Sequence, residues 1–269
     1  MRNIGVDSGG TLTKLFYEEK GHFHYKTFRS DELEKCVQWI KLLSPMATLN
    51  VTGGKAEKWK NYFPDINVIP EFDAIHKGVQ FLMNKEKMQC DSYLLINIGT
   101  GTSFFKVENE QCERLLGSGI GGGAFLGLGA LLTGESNFYE LVELAGKGNR
   151  KRVDLLVKDI YERDPSPVLD YLTAANFAKS VYKEANKEDK LRALSNMIAE
   201  TIILLASQAV KTTSINTYLF VGSMLNGNKP FKQDLAQFND LLGYDPIFLE
   251  HGSFAGSIGA WVIGSDIQN

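Results

Sequence analysis

Only three cysteines, Cys36, Cys90 and Cys112, occur in the 269 residues, and they lie far apart. An odd, scattered set gives no disulfide framework and fits a reducing compartment. There is no CxxC, and no His/Cys spacing suggests a zinc site. His22 and His24 fall on one face of an expected strand, which reads as two exposed histidines. No apolar run approaches the roughly 18 residues of a membrane span, and no signal-peptide pattern opens the chain. The expectation is therefore a cytoplasmic protein without a membrane partner. Basic excess is missing too: a net charge of −3 argues against nucleic acid, whose phosphates need a basic face. GxxxxGK[ST], the P-loop pattern, is also absent.

What is present is an ordinary globular composition, 43% hydrophobic and 23% charged. The length suits one large domain or two lobes, either with a sizeable core. Two stretches look like copies of one phosphate-holding device. The first is Ile4-Gly5-Val6-Asp7-Ser8-Gly9-Gly10-Thr11-Leu12-Thr13-Lys14; the second is Leu94-Leu95-Ile96-Asn97-Ile98-Gly99-Thr100-Gly101-Thr102-Ser103. Each runs from a β-branched strand through a polar residue and a Gly/Thr/Ser turn into a second strand. Glycines let an anion approach backbone N–H groups, and the hydroxyls of Thr11, Thr100, Thr102 and Ser103 add neutral donors. One such turn is a hairpin; two suggest jaws closing on one polyphosphate.

The periodicity predicts strands near 3–7, 12–18 and 22–28, a helix at 31–43, and a strand ending at Thr52. A Gly53-Gly54 turn, a short helix, a strand through 66–69 and a helix over 72–86 follow. From Tyr93 the pattern restarts, with strands near 93–98, 102–107 and 113–117, then helices near 122–132, 137–147 and 187–211. A strand at 217–221, a helix near 229–242, a strand at 244–249 and a helix from Ser253 complete it. Repeated antiparallel strands followed by crossovers imply two related lobes, each a mixed sheet with helices on its faces. Residues 148–180 read as an irregular connection. There Arg150-Lys151-Arg152 reads as solvated surface, and Pro165-Ser166-Pro167 breaks any period.

Asp7, at a strand end, can orient the water shell of a nucleotide-bound Mg²⁺, with Lys14 reaching phosphate as a point charge. The plain alternative is an Asx-turn cap beside an exposed lysine. Glu71 follows Pro70 at a strand end, where it can point into a cleft and accept the proton of an attacking alcohol. Alternatively, Glu71 and Asp73 simply complement a helix dipole. Gly121-Gly122-Gly123-Ala124-Phe125-Leu126-Gly127 opens a helix whose N–H groups and small side chains suit a phosphate, base or ribose. Close packing on a sheet would require the same glycines. Gly117, Gly119 and Gly122 match a GxGxxG spacing, but no βαβ start or ribose-binding acid accompanies them. The 187–211 stripe of Leu191, Leu194, Ile198, Ile202, Leu205 and Ala209 reads as core, with a subunit interface as the alternative.

In order and spacing, Asp7 to Lys14, Val51-Thr52-Gly53-Gly54, Glu71-Phe72-Asp73-Ala74, Asn97 to Ser103 and Gly119 to Gly123 resemble the type II pantothenate kinases. Leu172 to Phe177, Val221-Gly222-Ser223 and Glu250 to Gly256 continue the resemblance over nearly the whole chain. The resemblance implies an α/β, two-lobed actin-like ATPase (ribonuclease H-like) fold with duplicated mixed sheets and a cleft between lobes. The lobes are expected at 1–90 and 91–269. It implies ATP- and Mg²⁺-dependent phosphorylation of pantothenate to 4′-phosphopantothenate, the first step of coenzyme A biosynthesis, by a homodimer. Glu71 would be the base, and Arg114 would meet substrate and transferring phosphate. Thr100 and Ser103 would contact the substrate. The nucleotide would meet Asp7, Ser8, Gly9, Gly10, Thr11, Leu12, Thr13, Lys14, Thr100, Gly122, Gly123, Ala124, Phe125, Leu126, Phe138 and Ser223, with Asp7 reaching the metal through water.

Two rivals stand beside this reading, the first of which shares the DxGGTxTK-like loop. An N-acetylglucosamine-type sugar kinase generally uses an aspartate base, and one large group carries a cysteine-rich zinc motif, absent here. A dehydratase-activating ATPase needs closely placed cysteines for an iron–sulfur cluster, which Cys36, Cys90 and Cys112 do not offer.

Overall fold

In the computed structural model, residues 3–161, 168–182 and 184–267 are described. Two five-stranded mixed sheets have the same topology. The first has the order β3-β2-β1-β4-β5, from β1 (Asn3–Ser8), β2 (Leu12–Glu19), β3 (His22–Arg29), β4 (Thr48–Thr52) and β5 (Ile66–Val68). The second is built from β6 (Ser92–Ile98), β7 (Thr102–Glu108), β8 (Gln111–Ser118), β11 (Thr217–Val221) and β12 (Asp245–Phe248), in the order β12-β11-β6-β7-β8. In each, three meandering antiparallel strands are followed by two parallel ones. Helix α1 (Leu33–Leu43) and the 3₁₀ turn at Ala56–Asn61 cover the outer face of the first sheet, sealing Ile4, Val6, Leu15, Val51 and Trp59.

Helix α2 (Glu71–Lys85) crosses between the sheets. Its partner is α9 (Ala255–Ile267), which lies on β1, β2 and β4 despite coming from the far end of the chain. Small residues permit this. A Cβ on Gly78 would stand 1.8 Å from the Ala255 carbonyl oxygen, and one on Gly259 1.7 Å from that of Ala74. A central core joins Phe16 of the first sheet, Leu95, Phe105 and Leu219 of the second, Val79 and Leu82 of α2 and Ile258 of α9. The first sheet is thus completed by α9, a helix from beyond the expected boundary at residue 90.

The outer face of the second sheet carries the largest core, under α3 (Gly122–Thr133), α4 (Phe138–Lys147), α6 (Lys187–Ala209) and α7 (Lys229–Ala236). The α6 stripe Leu191, Leu194, Ile198 and Ile202 is buried there, so those residues are core. The expected single helix near 229–242 is instead α7 and a short α8 (Asn239–Leu242). Phe238 turns into the core between them, while the Gln237 side-chain amide donates to Asn196.

Between Lys147 and Lys187 come only short pieces: β9 (Leu155–Leu156), α5 (Val157–Ile160), β10 (Thr173–Ala175) and 3₁₀ turns. Pro165-Ser166-Pro167 lies outside the described residues. Arg150 is not solvated surface, its side chain being only 11% exposed. It donates to Thr173 Oγ1 and the Tyr171 carbonyl and stands 3.6 Å from the buried Asp154 carboxylate. A composition-based reading misses this because a buried guanidinium depends on partners distant in sequence. Among the described residues, no helix is long and apolar enough to cross a membrane, and no cluster of His, Cys, Asp and Glu could hold a metal ion.

Candidate active site

The two strand–turn–strand loops face each other across a cleft of about 580 Å³. Asp7 sits one residue before the end of β1, and Asn97 one residue before the end of β6. The loops touch: Thr11 Oγ1 lies 3.2 Å from Thr100 Oγ1. A third wall comes from Ser223 after β11 and from Gly252, Ser253, Ala255 and Gly256 at the start of α9.

On the first side, β-pairing sets Asp7 opposite Lys14, whose Nζ is 3.7 Å from Asp7 Oδ2. The carboxylate sits among glycines. A Cβ on Gly53 would lie 2.8 Å from Oδ1, and one on Gly256 2.9 Å from Oδ2. Gly53 also has φ +90°, a conformation that L side chains rarely adopt. Burial pushes the Asp7 pKa up, against the opposing pull of Lys14. Lys55, on the Gly53-Gly54 turn, donates from Nζ to the Gly10 carbonyl at 2.8 Å and braces the loop.

Glu71 is the first residue of α2, with Pro70 as its cap, and lines the same cleft. Pro70 holds the chain extended up to this point. Desolvation raises the Glu71 pKa, the Asp7 charge raises it further, and Lys14 lowers it. A more basic carboxylate that still reaches solvent suits proton transfer near neutrality.

On the second side, Asn97, Ser103 and Gly117 pair across β6, β7 and β8 and share the cleft-facing side of the sheet. The β7–β8 register slips between Phe104 and Phe105, leaving Leu115 as an extra residue in β8. This bulge puts Arg114 opposite Phe105, on the same face as Ser103 and Gly117; a regular ladder would turn it away. The guanidinium lies over the Phe72 ring, with Cζ 5.3 Å from the centroid. Among the described residues Arg114 makes no ion pair.

Of the residues expected at the nucleotide, Asp7, Gly9, Gly10, Thr11, Leu12, Lys14, Thr100 and Ser223 line the cleft, as do Glu71, Ser103 and Arg114. Others lie behind it. Ser8 is buried and accepts a hydrogen bond from Trp59 Nε1 at 3.0 Å, and Thr13 is buried beside it in the strand pairing. The amides of Gly122 and Gly123 donate to the carbonyls of Gly99 and Thr100 at 2.9 and 2.8 Å. They tie the start of α3 to the second loop, so these two N–H groups are already occupied. Phe125 is fully buried and meets Phe138 edge-on at 6.0 Å, both within the outer core; Ala124 and Leu126 are half-buried against it. Sequence reasoning gave no role to Asn97, Gly117 or the α9 start. The repeated strand pattern holds a signal for Asn97, which occupies the place of Asp7 in the second copy.

Two sheets of one topology, each offering a loop to a shared cleft, define the actin-like ATPase fold. The (R)-2-hydroxyglutaryl-CoA dehydratase component A of Acidaminococcus fermentans superposes with a TM-score of 0.68 at 16% identity, covering 97% of this chain and 96% of that one. A ROK-family glucokinase from Streptomyces griseus, in complex with glucose and AMPPNP, gives 0.58 at 12% identity, covering 97% and 98%. These likenesses are of fold alone.

The profile of the Fumble family matches residues 3–263, and the chain belongs to that family. A type II pantothenate kinase of Oceanobacillus iheyensis is 44% identical, covering 97% of this chain and 98% of its own. One of Bacillus cereus is 36% identical, over 96% and 97%.

Proposed function

We propose that this protein phosphorylates the primary alcohol of pantothenate with ATP, giving 4′-phosphopantothenate at the first step of coenzyme A biosynthesis. The observation that carries the reading is Glu71, Arg114 and both phosphate-type loops lining one cleft, in a chain 44% identical to a named type II pantothenate kinase. The cleft volume is that of a small-molecule site.

Pantothenate is a short acid with a hydroxyl at its far end. Arg114 and Ser103 suit the acid portion and the transferring phosphate, since a guanidinium forks onto paired oxygens. Glu71 takes the hydroxyl proton as that oxygen bonds to the γ-phosphorus; the bond to the bridging oxygen breaks, and its electron pair leaves with ADP. The glycines and hydroxyls of both loops hold the phosphates. Contact between Thr11 and Thr100 helps to exclude water, the competing nucleophile.

The Asp7 pocket fits a hydrated Mg²⁺, because its glycine cradle leaves the carboxylate oxygens no side-chain cover from Gly53 or Gly256. Asp7 would hold the ion through water, and the ion would supply charge neutralisation on the phosphates. Lys14 stays beside the carboxylate and opposes the upward pull of burial on its pKa. A homodimer in the cytoplasm belongs to the same reading, supported by the exposed apolar Leu131, Tyr139 and Leu204 on α3, α4 and α6.

The test is ADP release by purified protein with Mg²⁺ and equal concentrations of pantothenate, N-acetylglucosamine and glucose. Turnover of pantothenate alone is expected. Faster turnover of the amino sugar would replace this reading with a sugar kinase, and ADP release independent of every alcohol would replace it with an activator ATPase.

A further inference from the structure

Phe72 has a large apolar ring that is 44% exposed at the first turn of α2, directly after the proposed base. Burial does not account for it. Its neighbours are Phe105 of β7, met edge-on at 5.2 Å, and the Arg114 guanidinium. Gly117 bounds the guanidinium as well, since a Cβ there would stand 2.3 Å from Nη2. Arg114 thus has an aromatic face and a bare backbone as neighbours, and among the described residues no carboxylate fixes its direction.

We infer that Phe72 is a positioning residue for phosphoryl transfer: its ring, propped by Phe105, holds the Arg114 guanidinium over Gly117 and toward the acid substrate. Because Phe72 adjoins Glu71 on one helical turn, the same contact sets the spacing between base and cation. An aromatic face holds a guanidinium without neutralising it, leaving its N–H groups for substrate oxygens. A carboxylate partner would orient the arginine equally well but would compete with an acidic substrate. The inference rests on the pantothenate reading for its kinetic test and on the geometry alone for a second one.

The kinetic test compares Phe72→Leu, which keeps apolar bulk, with Phe72→Tyr, which keeps the ring. Phe72→Leu should lower kcat/KM for pantothenate roughly 2- to 5-fold, the scale of a lost cation–π contact between exposed groups. The KM for ATP should stay unchanged, and Phe72→Tyr should lose less than Phe72→Leu because it keeps the ring. In an Arg114→Ala background, Phe72→Leu should cost nothing further. Equal loss in both variants, or an undiminished loss in that background, would make Phe72 a packing residue and overturn the inference. The second readout needs no turnover: the rate of phenylglyoxal modification of Arg114 in the free protein, followed on its peptide by mass spectrometry. Phe72→Leu should raise that rate and Phe72→Tyr should not. An unchanged rate in Phe72→Leu would overturn the inference whatever the substrate proves to be. A protein inert toward pantothenate whose labelling still follows the ring would overturn the substrate reading and leave this inference standing.

Discussion

The two loops are one backbone device carrying opposite chemistry. In the first, Asp7 pairs with Lys14 across the ladder, and Glu71 stands beside them. In the second, the matching place is Asn97, paired with Ser103, and the charge is Arg114, supplied from a neighbouring strand by a bulge. Both sheets could have carried carboxylates, but two acidic jaws would repel a polyphosphate and an acidic substrate alike. The difference teaches that one holding geometry can carry different charges; on the proposed reading, proton transfer falls on one side and acid recognition on the other.

The largest expected effect comes from removing the proposed base. Glu71→Gln should lower turnover roughly 10²- to 10⁴-fold, the usual worth of general base catalysis, with ATP affinity and fold retained. Near-normal turnover would leave Glu71 a helix-terminus acid and remove proton transfer from the first side.

Arg114→Ala tests the opposite wall. Truncating one partner of a buried charge pair costs about 2–5 kcal/mol. Arg114 is exposed in the free protein, so the lower end of that range, about 2 kcal/mol in kcat/KM for pantothenate, is expected. ATP binding should barely change. If pantothenate constants were untouched, the second jaw would hold phosphate only.

Both jaws were legible in the sequence because strand, polar residue and glycine turn are local patterns repeated in order. Both sheets and helices α1, α3, α4 and α6 fall close to where periodicity places them. What escaped is long-range. The return of α9 to the first sheet depends on Gly5, Gly78 and Gly259 meeting backbone from distant segments, which no window of residues contains. The Leu115 bulge shifts Arg114 between faces, yet alternation alone cannot locate an extra residue. The Gly122-Gly123 start of α3 reads as an anion site, but its amides serve the second loop. Glycines for packing and glycines for phosphate look the same until a fold decides.

The pH dependence sharpens the comparison, since the carboxylates sit on one side. The Glu71 pKa is raised in the folded protein, so the native state holds that proton more readily than the unfolded chain. Keeping Glu71 ionised therefore opposes folding, and its contribution to stability falls as pH rises from the unfolded pKa through the folded one. Activity moves the other way, because the base must be ionised. The acidic limb of kcat/KM should lie above the ordinary glutamate value of 4.5. Asp7→Asn, which makes the first jaw resemble the second, removes the repelling charge. In its residual activity the limb should move to lower pH while desolvation still keeps it above 4.5. An unmoved limb would mean that another group controls it.

The smallest effect concerns the point where the jaws meet. Thr11 and Thr100 approach at 3.2 Å through hydroxyls that either residue can donate, and both are exposed, so their bond competes with water. Removing it by Thr11→Val or Thr100→Val should cost about 0.5–1 kcal/mol of stability at most. The information lies in the coupling. If the bond closes the cleft, the double variant should lose no more than either single one, and each should raise the KM for ATP by the same small factor. If the hydroxyls act separately on phosphate oxygens, the two losses should add. Additive losses would mean that the jaws hold the nucleotide independently and that their contact in the free protein is incidental.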